Sequence, residues 1–294
     1  MKYIACIFLI LQTLLISCVK EIDLNYPESK AKLTLNAVIS QGRPVSATVS
    51  STLPYTNTGN SPFYKDALIT FYENGILVDT LKPTEYRYRS ESQDTIWYYT
   101  SNYAVKVQNR YKMVVVKSGF NKISAATYIP TRVVLNRITH TQQSNLVESV
   151  EIEIEDPESG DNFFMIELRY VDPPNDSIAA ELTSEDPTVE LYSYFGILKM
   201  PLDPETGDMA FFSDEFFTDN NKTIRLTAQF NVSPSRVNQV IIYSASEDYY
   251  EYVRSFEINK AFSENPFAEP IRVKTNVENG FGILGGVTTT IFNL

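Results

Sequence analysis

Cysteine, histidine and tryptophan are scarce in this chain. Its 294 residues contain two cysteines, one histidine and one tryptophan. Cys6 and Cys18 both lie near the amino terminus, so the rest of the chain has no cysteine from which to form a disulfide. Zinc sites built from histidine and cysteine are excluded. A Ser-His-Asp triad or a Cys-His dyad would have only His140 as its general base.

Motifs of several enzyme classes are missing as well. There is no Gly-x-Ser-x-Gly elbow, and no glycine-rich phosphate loop follows a predicted strand. His140 lies in a polar Thr-His-Thr-Gln-Gln stretch, which favours a surface or loop position. A carboxylate pair for glycoside hydrolysis stays open, because separation in space defines it and 36 acidic residues offer candidates. We therefore expect a protein that is not an enzyme and has no cofactor.

Metal-binding patterns are weak. Residues 156–161 and 203–208 nearly repeat, and both place carboxylates beside a glycine, as calcium loops do. Neither copy has the bidentate glutamate of such a loop at the right distance. Asp-Pro followed by glycine also suits a hairpin turn. We predict two turns and no metal.

Positive charge is in short supply. The chain has 25 Lys and Arg against 36 Asp and Glu, a net charge of -11. Nucleic acid and anionic lipid headgroups would repel such a protein. The sequence therefore argues against a nucleic-acid partner.

The apolar run at the amino terminus, residues 3–16, is too short for a membrane-spanning helix, which needs about 20 residues. It follows Lys2 and ends on Leu15-Ile16-Ser17-Cys18, the pattern of a lipobox. We expect a signal peptide at 1–17, a lipid anchor on Cys18 and a tether at 18–30. An ordinary secretory signal and an uncleaved signal anchor are the competing interpretations.

Residue periodicity predicts an all-β protein. The chain has 17 Phe and 19 Tyr, and apolar residues alternate with polar ones over short stretches, as in strands with one buried face. Asn74-Gly75 joins two such stretches and is a strong hairpin signal. Residues 31–130 predict an immunoglobulin-like β-sandwich with seven strands: 33–39, 45–49, 67–71, 76–81, 96–103, 113–116 and 123–128.

Residues 131–294 predict a second β-rich domain. Every other residue from Val150 to Ile154 is apolar and the residues between are glutamates, so one face of this strand should meet water. Residues 240–244 predict a central strand. Residues 172–190, rich in Pro, Asp, Glu and Ser, predict a long exposed loop.

One amphipathic helix is predicted near the carboxyl terminus. Ser246 can cap it, and acidic residues follow where the helix dipole favours them. Its apolar stripe has helical spacing: Tyr249, Tyr252, Val253 and Phe256. Beyond it, glycines between 280 and 286 permit tight turns before a final strand at 287–292.

Aromatic residues supply the candidate contacts. Trp97, Tyr98 and Tyr99 could stack on sugar rings, although alternate residues of a strand point to opposite faces and one face is usually core. Phe281 and the neighbouring glycines could contact a partner, with a purely architectural role as the alternative.

Several segments resemble an uncharacterised lipoprotein family of Bacteroidota, domain of unknown function 4249. The resemblance is carried by residues 244–256 and 263–286 and supported by 18–24, 35–52 and 211–217. It implies an outer-membrane lipoprotein, commonly encoded beside TonB-dependent transporters, and it supplies no catalytic residues.

These observations predict a non-enzymatic protein held in outer-membrane lipid by Cys18. Lys20, Glu21 and Asp23 partly resemble a surface-export signal, so we expect the ectodomain on the cell surface. The expected function is that of an accessory or ligand-capturing partner of a TonB-dependent β-barrel transporter. A free-standing surface adhesin or glycan-binding module is the first alternative, and a glycoside hydrolase-like enzyme is the second.

Overall fold

The computed structural model describes residues 30–54, 59–87, 95–155, 160–172, 176–192, 208–217, 221–231, 236–263 and 271–294. The predicted signal peptide and nearly all of the predicted tether lie outside these ranges. Within them, no helix is long and apolar enough to cross a bilayer.

Strands dominate the described residues, as the alternating sequence pattern predicts. In chain order they are β1 (Leu33–Ser40), β2 (Val45–Ser51), β3 (Leu68–Glu73), β4 (Ile76–Arg87), β5 (Thr95–Ser101), β6 (Arg110–Val116), β7 (Ile123–Tyr128), β8 (Val134–Gln142), β9 (Val147–Glu155), β10 (Phe163–Asp172), β11 (Asp176–Ala179), β12 (Glu181–Thr183), β13 (Glu190–Tyr192), β14 (Met209–Ser213), β15 (Asn221–Gln229), β16 (Gln239–Ala245), β17 (Val277–Glu278) and β18 (Phe281–Asn293). A helix, α1 (Glu247–Ser263), separates β16 from β17.

The first seven strands have the strand order of an immunoglobulin-like sandwich. Strands β1-β2-β5-β4 neighbour one another in that order, and so do β3-β6-β7. Numbered along the chain, these are the two strand groups of a constant-type immunoglobulin domain. The long strand β4 pairs with β3 in its first half and with β5 in its second, so the two groups belong to one continuous sheet. The prediction of an immunoglobulin-like sandwich is confirmed.

The first sandwich has no cysteine and therefore no disulfide, but it contains another characteristic feature of immunoglobulin-like domains, which is formed by a tyrosine. Tyr111 is the second residue of β6, and its hydroxyl accepts a hydrogen bond from the backbone N–H of Lys106 at 2.7 Å. This is the tyrosine corner of immunoglobulin-like domains. The Tyr111 ring stacks on Phe71, with centroids 5.4 Å apart. Met113, two residues later, is fully buried where antibody domains have a cysteine.

The hairpin between β3 and β4 forms at the predicted turn. Asn74 and Gly75 have φ values of 48° and 84°, as a type I′ turn requires at both central residues.

A second sandwich lies beyond residue 130. Strands β13-β14-β10-β16-β18 continue the large sheet, and β12-β15-β9-β8 form a separate four-stranded sheet. Val150, Ile152 and Ile154 of β9 are fully buried against residues such as Phe164 and Ile242 of the large sheet. The predicted central strand, β16, pairs with β10 on one side and β18 on the other.

Strand β18 joins the two sandwiches. It pairs in parallel with β1 and antiparallel with β16, so residues 31–294 form one compact unit. The predicted domain boundary after residue 130 falls between Ile129 and Val133, which belong to different core clusters. The strand pairing nevertheless crosses that boundary.

The final strand is longer than predicted, because its glycines lie within it. A Cβ on Gly285 would come within 2.6 Å of the Tyr249 ring, and one on Gly286 within 1.9 Å of the Tyr128 carbonyl oxygen. These positions let α1 and β7 approach the strand closely. The prediction of tight turns at these two glycines was wrong, and both have an architectural role.

Helix α1 begins where predicted but buries a different stripe. Tyr249, Tyr250 and Val253 are buried over Met165 and Phe211, whereas Tyr252 is half-buried. Burial of each such side chain contributes about 1.5–3 kcal/mol. The Ser246 hydroxyl oxygen accepts a hydrogen bond from the Gly286 N–H at 3.1 Å, which ties the start of the helix to β18.

The predicted long exposed loop at 172–190 was also wrong. It contains β11, β12 and the start of β13, and Ala180 and Leu182 are fully buried. Polar composition concealed a few apolar residues that complete the second core.

Candidate binding surface

Buried and half-buried carboxylates are the groups that an enzyme would use, and the half-buried Glu73 is the most strongly held of them. At the end of β3 it accepts hydrogen bonds from the hydroxyls of Tyr103 and Tyr111 at 2.6 and 2.7 Å and from Asn109 at 2.9 Å. These hydrogen bonds, that of Tyr103 most of all, lower the pKa of Glu73 to about 2. A carboxylate so fully engaged stabilises the corner of the sandwich and is a poor proton acceptor.

Glu148 and Glu167 also have structural partners. Glu148 lies on the core side of β9, with one oxygen 2.6 Å from His140 Nδ1 and the other accepting the Val237 N–H at 2.7 Å. Glu167 accepts a hydrogen bond from the Tyr243 hydroxyl at 3.1 Å and pairs with Arg169. His140 is exposed, as predicted, although it lies in strand β8 rather than in a loop.

Glu257 differs from these carboxylates. It lies on α1 with 2% of its surface exposed, and its Oε2 has no hydrogen-bond partner among the described residues. Burial, with a smaller contribution from the charge of Asp208, raises its pKa to about 7, although Lys260 opposes the shift. The described residues contain no cluster of three or more His, Cys, Asp or Glu side chains arranged to hold a metal.

The predicted aromatic stretch divides between core and surface. Tyr99 is fully buried, and its hydroxyl accepts the Ala67 N–H and donates to the Tyr64 carbonyl oxygen. It cannot offer a ring face to a ligand. Trp97 and Tyr98 are half-buried, and the Lys65 ammonium lies 5.4 Å from the centre of the Trp97 ring.

The other predicted contact, Phe281, is 39% exposed and has the Lys32 ammonium 5.3 Å from its ring centre. Strands β1 and β2 lie between β18, which carries Phe281, and β5, which carries Trp97, so three strand spacings, or about 14 Å, separate the two strands. The structure therefore does not combine them in one site. Cys18, Lys20, Glu21 and Asp23 lie outside the described residues.

A surface that residue periodicity did not reveal lies on the outside of the first sandwich. We call it the β3–β6 face, and it consists of Leu68, Thr70, Tyr72, Leu77, Arg110, Lys112, Val114 and Val116. Leu68 is opposite Val116, Thr70 is opposite Val114, and Tyr72 is opposite both Lys112 and Leu77. Leu68, Leu77 and Val116 are 52%, 54% and 46% exposed.

The β3–β6 face is not flat. Tyr72, Gly75, Lys112 and Val114 line a shallow depression of about 340 Å³. Ile76, at the tip of the adjoining hairpin, is 70% exposed. An aliphatic surface with a depression large enough for a side chain is typical of a protein-binding site.

The signal for this face is present in the sequence. Strand β3 reads LITFYE and β6 reads RYKMVVV, so both strands carry apolar residues on both faces. Such strands are usually covered on both sides, yet the outer side is open here. The alternation of inward-facing apolar residues identifies the core side of both strands and carries no information about the outer side.

The outer face of the four-stranded sheet shows the opposite composition. We call it the ion-pair face, and it consists of Arg137, Thr139, Glu151, Glu153, Thr223 and Arg225. Arg225 Nε lies 2.7 Å from Glu151, and Arg137 Nε lies 3.5 Å from Glu153. The prediction that β9 has one side in water is confirmed.

Comparison with known proteins gives matches to solved structures and to one family model. A solved structure, titled "Crystal structure of Dpr2 Ig1-Ig2 in complex with DIP-Theta Ig1-Ig3", is 12% identical over 76% of this chain and 90% of the other, with a TM-score of 0.18. At that score the likeness supports no inference. No curated protein matches. The model of a family described as "Domain of unknown function (DUF4249)" matches residues 19–291. The chain therefore belongs to the DUF4249 family.

Proposed function

We propose that this protein is a lipid-anchored accessory of the bacterial outer membrane, in Bacteroidota, that binds a TonB-dependent transporter. The observation that carries the proposal is the β3–β6 face, an open aliphatic surface on a rigid sandwich. Binding requires such a surface, whereas the half-buried Glu73 and the buried Glu148 and Glu167 are engaged in holding the fold.

The anchor is the second part of the proposal. Leu15 to Cys18 form a lipobox, so cleavage before Cys18 would leave an acylated amino terminus. Each buried acyl methylene contributes about 0.8 kcal/mol, and a single chain binds only marginally, so durable attachment requires more than one acyl chain in a protein without a basic patch. Lys20, Glu21 and Asp23 favour export to the cell surface. Protease treatment of intact cells tests this, because an ectodomain that survives until the outer membrane is lysed faces the periplasm.

Co-purification tests the transporter partnership. The full-length, tagged protein is extracted from its own membranes in mild detergent, and a β-barrel transporter is expected in the eluate in stoichiometric amount. A Cys18→Ala variant, which cannot be acylated, is the matched control and should lose the partner or recover much less of it. If no β-barrel accompanies the acylated protein, the proposal is wrong.

A free-standing adhesin or glycan-binding module is the second candidate, and the half-buried Trp97 favours it. The nearby Lys65 ammonium leaves at most one face of the indole for a sugar ring. Binding to a glycan array that is lost in Trp97→Ala and kept in Phe281→Ala would support this candidate over the transporter accessory.

A further inference from the structure

The β3–β6 face identifies the chemistry of what binds it. We infer that it docks a second, different protein that presents aliphatic side chains flanked by carboxylates. The inference rests on the proposed function and specifies the partner's contact surface.

The apolar part follows from exposure. Leu68, Leu77 and Val116 each leave about half of their surface in water, and they occupy adjacent strands of one sheet face. Burying such side chains in a partner releases roughly 25 cal/mol per Å² of apolar surface. The depression beside Tyr72 can receive one protruding side chain.

The acidic part follows from charge. Arg110 and Lys112 are exposed on the outer row of β6, in a chain whose net charge is -11. Two copies packed through this face would bring these cations together, and like charges at close range oppose binding. Carboxylates at the rim of a different protein would pair with both.

A bilayer is a poorer occupant than a protein. Lysine and aliphatic residues do suit a lipid surface, but the net negative charge of the chain opposes approach to anionic headgroups. A depression lined by Tyr72, Gly75, Lys112 and Val114 also suits one fixed side chain better than mobile acyl chains.

The size of the face indicates a modest contact. Six residues along β3 and the width of the three strands β4, β3 and β6 span about 20 by 14 Å, or about 300 Å², from standard strand dimensions. A standard interface uses about 800 Å² on each partner. The hairpin tip at Ile76 adds to the contact, and two proteins held in one membrane meet at high effective concentration, so a small face can suffice.

Site-specific photo-crosslinking tests the inference in the cells that make the protein. The full-length lipoprotein carries p-benzoylphenylalanine at position 77, on the β3–β6 face, or at position 139, on the ion-pair face. We expect position 77 to crosslink to another polypeptide and position 139 to give no such product. Mass spectrometry should place the crosslink in a segment with aliphatic residues next to Asp or Glu.

Substitutions then test the two chemical components. Val116→Asp should reduce the position-77 crosslink about 10-fold or more, because it places a charge where the partner would bury an apolar side chain. Lys112→Glu should reduce it about 3- to 10-fold and weaken its dependence on salt. Thr223→Asp on the ion-pair face is the matched control and should leave it unchanged. Thermal unfolding of each variant checks that the fold is intact.

The outcomes separate this inference from the proposed function. A crosslink to a second copy of the chain, to lipid alone or to nothing overturns the inference. A crosslink to a polypeptide other than a β-barrel transporter, lost in Val116→Asp, supports the inference and contradicts the transporter partnership. If a transporter co-purifies but neither the crosslink nor the co-purification responds to Val116→Asp, the partnership is supported and the docking face is wrong.

Discussion

The two sandwiches of this chain bury similar cores and present opposite outer surfaces. In the first, strands β3 and β6 have aliphatic residues on the outside as well as the inside. In the second, β9 and β15 cover their outer side with ion pairs and threonines. Both surfaces belong to antiparallel sheets of one chain. A requirement for solubility would favour polar residues on both, so it does not explain the exposed aliphatic residues of β3 and β6. The contrast supports the proposal that the β3–β6 face binds a partner.

The sandwiches also differ in the surroundings of their perturbed carboxylates. Glu73 in the first is surrounded by hydroxyl and amide donors, which lower its pKa to about 2. Glu257, on the helix that covers the second, is buried without such donors, and its pKa is raised to about 7. The first carboxylate therefore stabilises the fold as an anion, whereas the second is most stable when protonated.

The largest effects on stability are expected on the inner faces, where the two sandwiches are alike. Met113→Ala in β6 and Ile152→Ala in β9 should each lower the free energy of unfolding by about 2–5 kcal/mol, because both side chains are fully buried. Val116→Ala on the outer side of β6 should change it by less than about 0.5 kcal/mol. Urea denaturation of the ectodomain measures all three. A large loss in Val116→Ala would mean that the outer face serves folding.

Residue periodicity predicts the inner faces well, for a physical reason. Burial selects apolar residues at every second position, so Leu33 to Ile39 and Val150 to Ile154 identify their core sides without a structure. The residue types on the outer faces depend on what contacts the sheet from outside, and the periodicity of the strand itself does not indicate this. The glycines near the end show the same limit, because the close approach of Tyr249 to Gly285 arises between distant segments.

Glu73 and Glu257 should give opposite dependences of stability on pH, with effects of about 1–2 kcal/mol each after solvent screening. The folded-state pKa of Glu73, about 2, lies below its ordinary value of 4.5, so its contribution is complete above pH 4.5 and is lost as the pH falls towards 2. The folded-state pKa of Glu257, about 7, lies above the same ordinary value, so stability falls as the pH rises from 4.5 through 7.

Two isosteric variants separate these contributions. Glu73→Gln should destabilise the protein at pH 7 and flatten the loss of stability on acidification. Glu257→Gln should stabilise it at pH 8 and have little effect at pH 4. Denaturant unfolding at a series of pH values measures both, and parallel pH profiles for the two variants would contradict the assignment of opposite roles.

A smaller effect on stability is expected when an exposed apolar pair of the first sandwich is replaced by an ion pair like those of the second. Leu68 and Val116 are directly opposite each other, as Glu151 and Arg225 are in the other sheet. The double variant Leu68→Glu with Val116→Arg should change the free energy of unfolding by less than about 1 kcal/mol, because an exposed ion pair replaces an exposed apolar pair. Co-purification with the partner should be lost. Retention of the partner would show that the aliphatic surface is not the binding determinant.

The smallest effect is expected on the ion-pair face itself. Arg225 is 72% exposed at its side chain and its partner Glu151 is 40% exposed, so water screens the pair even though the guanidinium geometry is good. Arg225→Ala should lower the melting temperature of the ectodomain by less than about 2 °C, and 1 M NaCl should remove the difference. It should also leave partner binding unchanged, in contrast to Lys112→Glu on the β3–β6 face. If Arg225→Ala abolished partner binding instead, the binding surface would be the ion-pair face. Loss of so exposed a pair barely changes the fold, so a loss of binding would have to come from a direct contact between Arg225 and the partner.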